Sequence, residues 1–206
     1  MHLTSKTMKR IFTLTVLFFG LVLTTFAQKP QIGLRIGGNY TNFIGEGAQE
    51  LNLENIWGGH GGISVNLPVY KQFLSLKSEI IYSAKGAAAA NDSLKINLGY
   101  LDVPIMGQFT AGPFYLEAGP QMSFLVKDNF QDKSGETNLN SIQKSLRRTS
   151  LSYAAGAGMR IPSIGLTLGM RYNGDLSNLV NNLDNKEFRS SLLMVTTSFS
   201  LPTKTF

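Results

Sequence analysis

Cysteine is absent from this sequence of 206 residues. Its absence excludes disulfide bonds, zinc sites built on thiolates, thiol catalysis and a lipid anchor on an N-terminal cysteine. Histidine is nearly as scarce, because only His2 and His60 occur. Asp128, Asp132 and Glu136 are interleaved with lysines, which favours a solvated loop over a carboxylate metal site. We therefore expect neither a bound metal nor a cofactor.

Charged residues are also few. They make up 16% of the chain, whereas about a quarter is usual in soluble domains. The formal net charge is +6, and half of it comes from Lys6, Lys9 and Arg10, within a stretch of residues 1–27 that contains no Asp or Glu. The rest of the chain is close to neutral, so the composition predicts no nucleic-acid partner.

One long apolar run occurs, from Ile11 to Phe26, and only threonines and Gly20 interrupt it. It follows two basic residues and ends with small residues at the positions three and one before a cut after Ala27, which predicts a cleaved signal peptide over residues 1–27 and a mature domain over 28–206. The alternative is a retained anchor, but about 16 residues is short for a bilayer span of about 20. A membrane-embedded mature chain would then have to be a closed β-barrel.

The mature chain alternates with a period of two. Ile32, Leu34 and Ile36 alternate with small or charged residues, and similar stretches recur up to residue 201. The pattern predicts about eight strands, each of about 9–11 residues. Pro104 and Pro120 lie inside two of these strands, and we predict a bulge or register irregularity at each because proline donates no ladder hydrogen bond.

The predicted connections alternate in length. Long, polar connections fall at about 44–59, 84–93, 128–149 and 175–186, and short ones at about 68–73, 111–113 and 162–163. An up-and-down antiparallel barrel in the outer membrane has this organisation, with external loops and periplasmic turns. The sequence therefore predicts an all-β, transmembrane up-and-down barrel of about eight strands in a Gram-negative cell envelope.

Alternation alone does not say which face is apolar, since a soluble periplasmic barrel that binds a ligand alternates too. The strands carry few charges, and their signs nearly balance, which favours a narrow polar lumen inside a lipid-facing wall. We expect these charges to form a hydrogen-bonded plug without an open pore. The set is Arg35, Lys77, Glu79, Asp102, Glu117, Arg160 and Arg171.

Aromatic residues lie near many predicted strand ends, as in the girdles of membrane barrels. The last residue, Phe206, is aromatic too, and such C-termini resemble the signal that barrel-assembly machinery reads. The expected partners are therefore outer-membrane lipid and that machinery. A basic set in the fifth connection could contact the phosphates of lipopolysaccharide, or could be an ordinary solvated loop. It comprises Lys127, Lys133, Lys144, Arg147 and Arg148.

A catalytic site is poorly supported, and the chain is not predicted to be an enzyme. His60 lies in a Gly-rich stretch that the pattern places at the rim of an external loop. A rim-active enzyme would pair it with Ser64 or Asp92, but no motif connects these residues. The simpler interpretation is a histidine in a Gly-rich turn with no catalytic role. An outer-membrane enzyme that uses His60 at the rim of the barrel remains the alternative.

Two motifs resemble the PorT-like outer-membrane β-barrel domain family of the Bacteroidota. The first is Gly33-Leu34-Arg35-Ile36-Gly37-Gly38-Asn39-Tyr40-Thr41-Asn42-Phe43, which resembles the family's opening strand, and the second is Tyr100-Leu101-Asp102-Val103-Pro104-Ile105. The order of long and short connections extends the resemblance over residues 28–201. The resemblance implies a barrel with envelope or secretion partners, because the founding member is tied to assembly of a protein-secretion system. The motifs carry fold information rather than chemistry.

Overall fold

The computed structural model describes residues 30–44, 53–71, 73–89, 94–132, 147–177 and 189–201. These residues form eight strands and one short 3-10 helix (Pro162–Ile164). The predicted signal peptide, residues 1–27, lies outside the described residues and stays a prediction. The strands are β1 (Gln31–Ile44), β2 (Leu53–Tyr70), β3 (Leu74–Ala89), β4 (Leu94–Ala111), β5 (Phe114–Asp132), β6 (Thr149–Ile161), β7 (Leu166–Asp175) and β8 (Arg189–Ser200).

Each strand pairs antiparallel with its neighbour in sequence, and β1 also pairs with β8, so the sheet closes on itself. The predicted all-β, up-and-down barrel of eight strands is confirmed. No helix among the described residues is long and apolar enough to cross a membrane.

The two faces of the wall differ sharply in polarity. Along β3 the inward positions hold Lys77, Glu79 and Lys85, which are buried, whereas Ile80 and Tyr82 point outward and are exposed. The same division holds around the barrel, where most buried side chains are polar and most large exposed ones are apolar. Since lipid solvates an apolar exterior and a narrow lumen hides polar groups, this is the polarity of a membrane barrel.

The strands β2 to β5 contain 16 to 19 residues and are longer than the predicted 9–11. The predicted loops 44–59 and 84–93 are correspondingly too long, because residues 53–59 and 84–89 continue the ladder. Residues 84–89 are mostly alanine, residues 53–59 end in two glycines, and neither stretch shows an alternation of polarity. In both stretches the backbone pairing continues although the side chains do not alternate, because these residues lie beyond the apolar band of roughly 25 Å.

The predicted irregularities at Pro104 and Pro120 were wrong. On both sides of Pro104 the strands keep their register, although bridge pairs are missing between Ser78↔Ile105 and Ile81↔Asp102. Proline therefore removes local hydrogen bonds without displacing the chain. The shifts occur elsewhere, between Asn55 and His60, between Pro68 and Tyr70, and between Gly99 and Tyr100.

Candidate functional site: the charged lumen

Five charged side chains meet in the lumen, and they come from alternate strands. Arg35 is on β1, Lys77 and Glu79 are on β3, Glu117 is on β5 and Arg171 is on β7. Side chains from alternate strands of a closed barrel stack in common layers, because tilt and stagger bring their inward positions to similar heights. We call these five residues the lumen network.

Arg171 joins the two carboxylates. Its Nη1 donates to Glu79 Oε2 at 2.7 Å, and its Nη2 donates to Glu79 Oε1 at 3.1 Å. Its Nε and Nη2 also donate to Glu117 Oε1, at 2.9 Å and 2.5 Å. One guanidinium thus makes a two-pronged contact with β3 and a further contact with β5.

Lys77 and Arg35 complete the lumen network. The Lys77 ammonium lies 3.1 Å from Glu79 Oε1 and 3.0 Å from Glu117 Oε2, and Arg35 Nη1 also contacts Glu79 Oε1. The side chains are at most 10% exposed. Because buried charge is costly unless it is paired and hydrogen-bonded, the two carboxylates each serve several cations, leaving three positive and two negative groups.

Asp102, predicted as part of the same set, lies in the lumen but pairs elsewhere. Lys85 Nζ donates to Asp102 Oδ1 at 3.3 Å and lies 4.6 Å from the centroid of the Tyr100 ring. Lys85 was not among the predicted lumen residues, because residues 84–93 were predicted to form a loop. The spacing could have revealed it: Lys77, Glu79 and Lys85 are separated by even numbers of residues, so on one strand they point to the same face.

Arg160 is not in the lumen network. It is half-buried at the inner end of β6, opposite Thr167, whereas Arg171 lies opposite Gly156. The separation of about four residues is roughly 13 Å along the strand, too far for an ion pair. Among the described residues Arg160 forms no salt bridge.

A small apolar cluster lies next to the charged groups. Ile81, Leu192 and Met194 are each 1% exposed and contact one another inside the barrel. In the strand register Ile81 is opposite Asp102, and Met194 is opposite Arg171. These side chains fill lumen volume that water would otherwise occupy and keep the neighbouring ion pairs in a dry environment.

His60 is buried in the lumen and not at the rim of a loop, so its predicted position was wrong. The Gly-rich stretch around it is paired strand, which the loop interpretation did not anticipate. Its Nδ1 is 2.6 Å from Asn39 Oδ1, and its Nε2 is 2.9 Å from Thr196 Oγ1. The Asn39 amide nitrogen donates to the carbonyls of Gly59 and Ala84, at 3.2 Å each. That orientation leaves Asn39 Oδ1 to accept from the Nδ1–H of His60.

The partners proposed for a catalytic His60 are engaged or lie outside the described residues. The Ser64 hydroxyl donates to the carbonyl of Gly33 at 3.4 Å, and Asp92 is not described. Within the described ranges no group of three His, Cys, Asp or Glu is placed to bind a metal ion.

The predicted basic loop set is only partly described. Lys127 is exposed near the outer end of β5, and Arg147 and Arg148 are exposed just before β6. The backbone N–H of Leu125 donates to the carbonyl of Arg148 at 2.8 Å, which holds the start of β6 close to β5. Lys133 and Lys144 lie outside the described residues.

Comparison with known protein families identifies the class of this protein. Residues 26–181, well over half of the chain, match the family model of the outer membrane protein beta-barrel domain. The chain belongs to this family. This outer-membrane barrel domain therefore places the protein in the outer membrane, with its apolar wall in lipid.

Solved outer-membrane barrels resemble the chain at low identity. Neisserial surface protein A is 14% identical, with a TM-score of 0.48, over 84% of this chain and 100% of the other. OprG from Pseudomonas aeruginosa is 10% identical, with a TM-score of 0.44, over 85% and 98%. The N-terminal barrel of Pseudomonas aeruginosa OprF is 13% identical, with a TM-score of 0.34, over 83% and 100%. No curated protein matches the sequence.

Proposed function

We propose that this outer-membrane barrel is a closed, non-enzymatic protein of structural or interaction type, which acts through its external surface. The observation that carries the proposal is the lumen network, which joins β1, β3, β5 and β7 across the interior. A barrel of eight strands is just wide enough for its own side chains. A solute can pass the lumen network only if buried ion pairs separate, which is strongly unfavourable.

The environment of His60 supports the non-enzymatic part of the proposal. Both ring nitrogens contact neutral lumen side chains, Asn39 and Thr196, and the residue is 4% exposed. A general base needs access to its substrate and an orienting partner. Here the ring instead links β2 to β1 and β8.

The external end is the expected contact surface. The exposed cations Lys127, Arg147 and Arg148 are suited to phosphates of lipopolysaccharide or to acidic protein partners. A role as an accessory of protein secretion is the more specific form of this proposal. It is supported by the resemblance of residues 33–43 and of Tyr100–Ile105 to PorT-like barrels. Deleting the protein should then leave normally secreted proteins inside the cell.

Conductance tests the closed lumen. The protein is refolded into planar lipid bilayers, and current is recorded across voltages of both signs. The proposal predicts no stepwise ohmic current from the native protein. Folding is checked separately by the faster gel migration of the unboiled barrel. Stable open-channel steps from folded native protein would overturn the closed-barrel proposal and make a channel the leading function.

A further inference from the structure

A cleft of about 280 Å³ lies across β2 to β5 in the outer wall of the barrel. Its sides include two exposed aromatic side chains, Trp57 and Tyr82, and two polar ones, Lys127 and Asn129. Ala84 and Gly99 line it where larger side chains would fill the space. The cleft is separate from the lumen network and belongs to the surface that faces the membrane.

A bulge directs Lys127 into this cleft. Tyr100 lies opposite Leu125, but the next residue of β4, Gly99, lies opposite Lys127, so Val126 is extra. The extra residue reverses the alternation of β5, because two residues oppose one. Odd positions such as Glu117 and Ser123 face the lumen below the bulge, whereas Lys127 is exposed beyond it.

Glycine at position 99 is needed for this arrangement. A Cβ atom there would lie 2.5 Å from the Tyr82 hydroxyl and 3.1 Å from Lys127 Cβ. The absence of a side chain lets an aromatic ring and a lysine approach the same backbone from two neighbouring strands. The result is a recess between an apolar platform and a cation.

The cleft lies at the height of the membrane's outer interface with water. Gly99 is about 12 residues from the inner end of β4 at Ala111, which is about 30 Å at the usual rise and tilt of barrel strands. The apolar band of such barrels is about 25 Å tall. Trp57 also packs against Tyr40, with ring centroids 5.2 Å apart, as expected of an interfacial aromatic girdle.

The charge at this height is positive and available. Among the described residues Lys127 forms no salt bridge, and the strand pattern places Asp128 on the opposite side of β5. The carbonyl of Arg148 accepts from the backbone N–H of Leu125, so the exposed Arg148, just before β6, adds positive charge nearby. A lysine and two aromatic side chains that line one cleft at a membrane interface match a phosphate group attached to an acyl chain.

We propose that this cleft binds the phosphorylated headgroup of an anionic lipid of the outer leaflet. The Lys127 ammonium contacts the phosphate, Asn129 supplies a further polar contact, and Trp57 and Tyr82 lie against the adjoining apolar part of the lipid. The inference rests on the proposed lipid contact of the external surface, but not on closure of the lumen. An open channel would therefore leave it intact, and failure of lipid binding would leave the closed lumen intact.

Trp57 is the only tryptophan and lines the cleft, so its fluorescence reports binding directly. The protein, folded in zwitterionic detergent, is titrated with bis-phosphorylated lipid A. We expect a saturable change in Trp57 emission, with an affinity at least about 10-fold weaker in Lys127→Gln, which corresponds to the loss of one charge-assisted contact. The matched control is Lys71→Gln, an exposed lysine at the opposite end of the barrel, which should bind like the native protein.

A second variant tests the shape of the site without altering charge. Ala84→Leu fills the cleft and should weaken lipid A binding as Lys127→Gln does. All variants must first show the heat-dependent gel shift of the folded barrel. Equal affinity in Lys127→Gln and the native protein would overturn the proposal, as would equal binding of fully dephosphorylated lipid A. Inorganic phosphate alone should produce no saturable change, and if it matched lipid A the site would be one for a free anion.

Discussion

Glu79 is the most heavily paired group of the lumen network, so its removal should be strongly destabilising. It contacts Arg35, Lys77 and Arg171, and its side chain is fully buried. The substitution Glu79→Leu leaves three buried cations with Glu117 as their one remaining carboxylate. Breaking a buried ion pair by removing one partner costs about 3–5 kcal/mol. The partial compensation by Glu117 places the expected loss of unfolding free energy toward the lower end of that range.

Urea unfolding in lipid vesicles, followed by Trp57 fluorescence, measures this loss. With an m-value of about 2 kcal/mol/M, a loss of about 3 kcal/mol corresponds to a midpoint about 1.5 M lower. Glu54→Leu is the matched control, because Glu54 is exposed at the outer end of β2 and should shift the midpoint little. The double substitution Arg35→Leu with Glu79→Leu removes a cation too and should recover part of the loss. An unchanged midpoint in Glu79→Leu would refute the structural role of the lumen network.

Two further substitutions test other parts of the barrel interior. Gly169→Val should destabilise the barrel by about 1–3 kcal/mol, because its Cβ would meet the hydroxyl of buried Tyr115. Gly107→Val is the control for urea unfolding, since the nearest atom to its Cβ is 3.9 Å away, and equal effects of the two would contradict the packing argument. Lys85→Met should cost about 3 kcal/mol by leaving buried Asp102 unpaired. Adding Asp102→Leu should restore stability, and no gain in the double variant would show that the pair is not coupled.

The sequence predicted the fold because two independent patterns agreed. Alternation marked the strands, and alternating connection lengths marked the up-and-down topology. The lengths of the strands were harder to predict from the sequence, because residues 84–89 pair through their backbone although their Ala and Gly residues show no alternation of polarity. The same cause hid Lys85, which belongs to β3 and not to a loop.

Side-chain partners were harder to predict than side-chain direction. The alternation of side chains along each strand predicted that Arg35, Glu79 and Arg171 point inward. Which of these side chains pair with each other also depends on the stagger of the strands in a closed barrel. That stagger brings Arg171 to Glu79 and leaves Arg160 about a dozen ångströms away along its strand. The direction of the Lys127 side chain depends on one extra residue in β5, and no local sequence pattern predicts that bulge.

The position of His60 shows why a Gly-rich segment is ambiguous. Glycines at 58, 59, 61 and 62 suggest a turn, yet these residues pair with β1 in regular register. A Cβ at Gly62 would collide with the backbone of Ile80. Close approach of neighbouring strands, and not a turn, therefore accounts for a glycine at this point of the barrel.

A gel comparison of boiled and unboiled outer membranes tests the central claim most directly. The membranes are isolated from cells that produce the protein, and both samples are run under denaturing conditions. A closed barrel predicts a membrane-bound band that migrates faster when unboiled, because the folded sheet resists the detergent. A protein in the soluble fraction, with one mobility before and after boiling, would contradict a membrane-spanning barrel.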